Sequence, residues 1–130
     1  MKILVPVDDS DCSFRALGFA CDLARRFEST LHVIHITDKK TDATRDTVER
    51  AEEVLEDEGI DDEPEVRTDI RLDIRPSNQI GDDIVRIAKN EGYDHIVMGH
   101  HGTGRMGRAV LGSAAERVIE SNEFAVTVVP

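Results

Sequence analysis

The 130-residue chain has the length of one domain, and 39% hydrophobic residues beside 33% charged exclude a disordered, tail-like polymer. Its 27 acidic and 16 basic residues leave a net charge of −11, a field that repels DNA, RNA and anionic lipid and so argues against nucleic-acid and membrane-surface partners. No apolar run approaches the roughly 20 residues of a membrane span, and Met1-Lys2-Ile3-Leu4 leads into strand-like sequence instead of a secretory leader, which points to a cytoplasmic protein.

Lys2 to Val7 is a short aliphatic run closed by Asp8-Asp9-Ser10 and predicts a buried strand, with Pro6 near its end because proline removes a ladder hydrogen bond. Ser10 is a good N-cap, and Phe14, Leu17, Ala20, Cys21, Ala24 and Phe27 recur at helical spacing, so a helix over 10–27 follows. Cys12 and Cys21, the two cysteines of the chain, fall on it nine residues apart. That is ~13 Å along the axis, too far for a disulfide, and they read as reduced, half-buried thiols.

Thr30 to Thr37, carrying Leu31, Val33, Ile34 and Ile36, predicts a second strand. His32 and His35 alternate on it, one expected as a satisfied buried histidine and neither as a catalyst. Asp42 is expected to cap a helix reaching about Asp57, with an apolar face of Val48, Ala51, Val54 and Leu55. Its other side, Glu49, Glu52, Glu53, Glu56 and Asp57, reads as solvated surface, and Glu58-Gly59 breaks the pattern. After an acidic loop at 61–65, Val66, Thr68, Ile70 and Leu72 alternate with Arg67, Asp69 and Arg71, which predicts a half-exposed edge strand over 65–74.

Arg75-Pro76 through Gly81 reads as a connection, and 82–91 as a helix with Ile84, Val85, Ile87 and Ala88 inward and Gly92 as its stop. A strand over 94–98, a glycine-rich stretch over 99–112, a helix over 113–120 and a strand over 125–129 complete the chain. No repeat or composition break interrupts it, so 1–130 reads as a single domain. Five strands alternating with four helices predict a three-layer, doubly wound parallel α/β sheet of order 3-2-1-4-5, with its switch point between the first and fourth strands. Asp8 and Gly99 end those two strands, which is where such sheets bind ligands.

Gly99-His100-His101-Gly102-Thr103-Gly104-Arg105-Met106-Gly107 places four glycines in nine residues at that point. Glycine leaves backbone amides unobstructed, so several N–H groups can converge on an anion. The stretch closes at Gly112-Ser113, where amides at a helix N-terminus and the Ser113 hydroxyl are set to meet phosphate oxygens. A side chain at Gly102 or Gly112 is expected to stand in the phosphate path.

Gly99-x-x-Gly102 followed, nine residues on, by Gly112-Ser113 resembles the nucleotide-binding pattern of the universal stress protein family, ATP-binding branch. The similarity runs through Ile3-Leu4-Val5-Pro6-Val7-Asp8-x-Ser10, Ala16-Leu17, His35-x-x-Asp38, Gly81-Asp82-x-Ile84, Asp94-x-Ile96-Val97-Met98-Gly99, Leu111-Gly112-Ser113-x-Ala115-Glu116-x-Val118 and Val126-x-Val128-Val129. The resemblance implies a Rossmann-like, adenine nucleotide alpha hydrolase-like fold and ATP as ligand, with Mg²⁺ as an optional companion. At matching positions it implies Pro6 and Asp8 on the adenosine side, the Ile36 backbone at the adenine edge, and Met98 and Gly99 beside the ribose. Gly102, Thr103, Gly104 and Arg105, then Gly112, Ser113, Ala114 and Ala115, are implied around the phosphates. His100 stands where the family usually has a small Ser or Thr, and Thr103 where Arg is common, so Arg105 or Arg108 either supplies the displaced charge or is a solvated loop residue.

Other residues leave alternatives open. Asp8-Asp9 either holds Mg²⁺ or divides, with Asp8 on a ribose hydroxyl and Asp9 beginning the helix. His100-His101 with Asp8 is a weaker candidate for a transition metal, because adjacent residues seldom face one ion. Gly-Lys-Ser/Thr is absent after any glycine loop, and a phosphoacceptor receiver domain, which needs an Asp ending the third strand and a Lys ending the fifth, is disfavoured because no such Lys ends the fifth strand here. An ATP-dependent regulatory protein of the stress response is therefore expected, with a slow ATPase or phosphotransfer enzyme of the same fold as the alternative; no catalytic base stands out.

Twelve Arg but four Lys beside the acidic excess resemble proteins of a salt-rich, halophilic cytoplasm, an ordinary acidic protein being the alternative. Ala125 to Val129 is expected at a sheet edge, where an uncharged apolar strand invites pairing with its own copy in a homodimer, the alternative being a monomer whose edge the 99–112 loop shields.

Overall fold

Ile3, Leu4 and Val5 are all fully buried, since the sheet they belong to is covered on both faces. This explains why β1 (Lys2–Pro6) is an unbroken aliphatic run with no alternation of polar residues. The computed structural model describes residues 1–68, 76–101 and 111–130, with the side chains of 76–79 excepted. Five strands form the sheet: β1, β2 (Thr30–Ile36), β3 (Glu65–Arg67), β4 (His95–Gly99) and β5 (Ala125–Val129). Their order is β3-β2-β1-β4-β5 and every pairing is parallel, with Leu4 beside His32 on one side and Ile96 on the other. The predicted architecture and switch point are thereby observed.

Alternate residues of β1 feed two cores. Ile3, Val5 and Val7 pack with Phe14, Leu17, Ala20, Cys21 and Ala24 of α1 (Asp11–Arg26) and Ala51 and Leu55 of α2 (Asp42–Glu58). Leu4 packs on the opposite face with Ile34 and Ile36, with Ile84, Ile87 and Ala88 of α3 (Pro76–Asn90), and with Ala115 and Val118 of α4 (Ser113–Glu120). Ser10 caps α1 by accepting the Ser13 N–H, as expected. Phe27 does not join the helix face: it is the C-cap residue and is 65% exposed. Cys12 and Cys21 are free, and both are fully buried where half-burial was expected. Burial, then the nearby Glu58 carboxylate, raises the Cys21 thiol pKa to about 11, which marks it as an inert packing group.

Three element readings are corrected. Helix α2 is capped by Thr41, not Asp42: the Thr41 and Thr44 side chains each accept the other's backbone N–H, a capping box built from two threonines. Its buried stripe is Thr44, Thr47, Ala51 and Leu55, the Thr47 hydroxyl donating to the Ala43 carbonyl at 3.0 Å, while Val48 and Val54 are half-buried. Helix α3 takes in residues 76–81, for which the sequence predicts a connection. Pro76 opens the helix, where a missing N–H is harmless. Gly81 is buried because a Cβ there would stand 2.6 Å from Arg117 Cβ and 3.0 Å from the Ala114 carbonyl; the glycine marks a close helix–helix approach, not a turn. Strand β3 spans three residues, and the remainder of the predicted 65–74 strand lies outside it or outside the described residues. Gly59 and Gly92 do end α2 and α3, at φ 68° and 74°. Among the described residues no helix is long and apolar enough to cross a membrane.

Candidate functional site

Because β1 and β4 are sheet neighbours whose following segments diverge to opposite faces, their carboxyl ends leave a cleft. It measures about 220 Å³ and is lined by Pro6, Val7, Asp8, Ser13, Ile36, Ile80, Ile84, Met98, Gly99, His101, Gly112, Ser113, Ala114 and Ala115. Nine of the sequence-predicted site residues therefore converge: Pro6, Asp8, Ile36, Met98, Gly99, Gly112, Ser113, Ala114 and Ala115. Gly102, Thr103, Gly104 and Arg105 lie outside the described residues, as does Arg108.

The cleft lining combines apolar side chains with the start of a helix. Ile36, Ile84 and Met98 are core residues that turn one edge to the cleft, and Ile80 leaves 42% of its surface open beside them. In the same lining α4 begins at Ser113 behind Gly112, which as N-cap supplies no side-chain acceptor to the first-turn amides. Those N–H groups and the positive end of the helix dipole suit an anion. Gly112 has a different role from the one expected. Its N–H donates to the His100 carbonyl at 2.6 Å, and a Cβ there would lie 2.8 Å from His101 Cα and 3.0 Å from the His100 carbonyl. The glycine lets the chain entering α4 press on the backbone leaving β4; a side chain would collide with protein before it met a ligand. Gly99 is equally confined, a Cβ there standing 2.7 Å from Cys12 Sγ and 2.8 Å from the Ser13 amide nitrogen.

Asp8 is tied into the turn that starts α1. Its Oδ1 accepts the Ser10 N–H at 2.8 Å and the Ser10 hydroxyl, while the Ser13 hydroxyl donates to the Asp8 carbonyl at 3.0 Å. One carboxylate oxygen is thus committed to the fold. Asp9 lines a separate depression with Phe14, Ala43, Asp46, Thr47 and Arg50, so the two neighbouring carboxylates serve different surfaces. His32 and His35 are both half-buried and both bonded, His32 Nδ1 to Asp62 Oδ1 at 2.8 Å and His35 Nδ1 to the Val7 carbonyl at 2.7 Å. The expectation of one satisfied histidine becomes two.

A profile of the Universal stress protein family matches residues 1–130. The chain belongs to the universal stress protein family. Universal stress protein MJ0531 of Methanocaldococcus jannaschii is 31% identical to it over 142 aligned positions, which take in 98% of this chain and 81% of the relative. The universal stress protein from Archaeoglobus fulgidus has a similar structure, with a TM-score of 0.76 at 25% identity over 100% of this chain and 98% of that one. A universal stress protein of that organism in complex with dAMP aligns with a TM-score of 0.72 at 26% identity, over 100% and 98% of the two chains.

Within this universal stress protein fold, Val7, Ser13, Ile80, Ile84 and His101 line the cleft without having been singled out for it from sequence. Ile80 falls in the stretch read as a connection, and extending α3 back by two turns would have found it. The sequence marks His101 only as a metal-ligand candidate, because its place in the cleft depends on a bend after β4 that carries no periodic signal.

Proposed function

We propose that this universal stress protein binds ATP in the cleft at the β1–β4 switch point and acts as a nucleotide-dependent regulatory protein. The observation that carries the reading is the mixed lining of the cleft, apolar at Ile36, Ile80, Ile84 and Met98 and polar at the first turn of α4, whose N-cap supplies no side-chain cap. A purine fits the first and phosphates the second. In this reading Pro6 and Asp8 hold the adenosine side, the Ile36 backbone reads the adenine edge, and Met98 and Gly99 border the ribose. Gly102, Thr103, Gly104, Arg105, Gly112, Ser113, Ala114 and Ala115 wrap the phosphates. Mg²⁺, a hard cation, would share phosphate oxygens with the Asp8 carboxylate. The complex of an A. fulgidus relative with dAMP supports an adenine nucleotide as the ligand class. The regulated species is a homodimer paired through β5.

Ser113 is exposed at the first position of α4, so Ser113→Asp leaves the core untouched and places a carboxylate where the helix favours one. The fold should keep its melting temperature while ATP affinity, followed by a fluorescent analogue, falls by at least about tenfold through charge repulsion. An unchanged affinity sinks the assignment. Product analysis of the same incubations reports whether bound ATP is turned over.

A further inference from the structure

We propose that Cys12, His100 and His101 form a binding site for a borderline-soft transition-metal ion of the Zn²⁺ class, at the junction of β4 with the first turn of α1. One ligand atom from each of the three side chains lies within 4.8 Å of the other two. Around a tetrahedral ion with metal–sulfur bonds of about 2.3 Å and metal–nitrogen bonds of about 2.0 Å, donor atoms stand about 3.3–3.6 Å apart, so side-chain rotation closes the set. Three features of the fold bring these residues together. Gly99, having no side chain, lets the end of β4 rest on Cys12. The Cys12 thiol already donates to the His101 carbonyl at 3.1 Å. The chain bends at residues 100 and 101, and the two imidazoles lie 4.3 Å apart at 66°, so these neighbours do not take the opposite sides that a continuing strand would impose.

An independent sign of a missing ligand is His100 Nδ1, a buried atom with no hydrogen-bond partner among the described residues. Such atoms are rare in folded proteins and call for an ion or water. A donor set of one sulfur and two nitrogens suits Zn²⁺ and its neighbours and is a poor match for Mg²⁺ or Ca²⁺, which take oxygen. This site is therefore distinct from any Mg²⁺ that accompanies phosphates, and it stands whether or not the cleft takes ATP. Binding exchanges the Cys12 S–H bond for a sulfur–metal bond and releases one proton. Three protein ligands leave a fourth position open, and because His101 also lines the cleft the ion would border it.

The test uses Co²⁺ as an absorbing substitute for Zn²⁺, added to the full chain after chelator treatment. One equivalent should produce a thiolate-to-Co²⁺ absorption that Zn²⁺ then removes. Cys12→Ser should abolish the band and Cys21→Ser should retain it, with circular dichroism confirming the fold of each. His100→Gln, which keeps the cysteine, should weaken Co²⁺ binding by at least about tenfold. Absence of a thiolate band in the wild type, its persistence in Cys12→Ser, its loss in Cys21→Ser, or an unchanged affinity in His100→Gln each overturns the site.

Discussion

Asp62 clamps the segment before β3 onto β2 with both carboxylate oxygens, Oδ1 on His32 Nδ1 at 2.8 Å and Oδ2 accepting the Val33 N–H at 2.9 Å. The hydrogen bond to Asp62 is the main cause of a raised His32 pKa, outweighing burial of the ring, with further help from the Asp62, Glu65 and Glu91 charges. A histidine whose folded pKa exceeds its unfolded value, about 6.5, stabilises fully below that value, and the contribution is lost as pH rises through the folded pKa. His95 and His100 have lowered pKa values and therefore bias stability the other way, losing it as pH falls below the unfolded value. The difference between wild type and Asp62→Asn isolates His32. Urea midpoints should show the variant most destabilised between about pH 5.5 and 6.5, with the gap narrowing as pH rises further. A gap independent of pH would contradict the pairing.

Two helical glycines look alike in sequence and differ completely in the structure. A Cβ at Gly18 in α1 meets nothing within 4 Å, whereas at Gly81 in α3 it meets Arg117 Cβ at 2.6 Å and the Ala114 carbonyl at 3.0 Å. Gly18→Ala should therefore raise stability by about 0.5–1 kcal/mol through helix propensity alone. Gly81→Ala should lower it by about 1–3 kcal/mol, because neither the root of the Arg117 side chain nor a backbone carbonyl can yield without moving α3 from α4. Chemical denaturation of the two variants checks both signs. The contrast also shows where the sequence was readable. Strands β1, β2, β4 and β5 were legible because each buried run is aliphatic or β-branched, and α1 because Ser10 precedes a clean apolar stripe. Strand order then places Asp8 and Gly99 at one cleft, to which the family resemblance adds Pro6 and Met98. The start of α3 was hidden because Pro76 and Gly81 are turn signals out of context, their real roles set by a helix opening and by a neighbouring helix. The packing role of Gly112, and the placing of Cys12 instead of Asp8 beside His100 and His101, were hidden for a related reason: both depend on which backbone segments touch, and periodicity says nothing of that.

On the scale of the whole molecule, net charge and the sheet edge act against each other. A chain of charge −11 repels its copy, while β5 pairs with β4 on one side of the sheet and offers its other side for a partner. Val126, Val128 and Val129 are half-buried there, with Val126 and Val128 packed on the core formed with α3 and α4, so no charge blunts the edge. Pairing two β5 strands antiparallel about a two-fold axis would continue the sheet and cover those valines. Screening decides how readily this happens. The acidic face of α2, with Glu49, Glu52, Glu53, Glu56 and Asp57 all exposed, keeps its repulsion over about 10 Å at 0.1 M salt but only about 3 Å at 1 M. Both association and thermal stability are therefore expected to rise with KCl. Light scattering after size exclusion should report twice the chain mass at tens of micromolar in ~1 M KCl, and a smaller average mass in ~0.1 M. Val128→Lys sets two ammonium groups near the axis and should hold the protein at the monomer mass in high salt, with circular dichroism verifying its fold. Salt also strengthens apolar burial, so a second variant with several α2 glutamates changed to glutamine separates the two effects. Its melting temperature should respond less to KCl than that of the wild type, because fewer like charges remain to be screened. An equal response in both proteins, or a wild-type monomer at ~1 M KCl, would remove electrostatic screening or the β5 seam from this account.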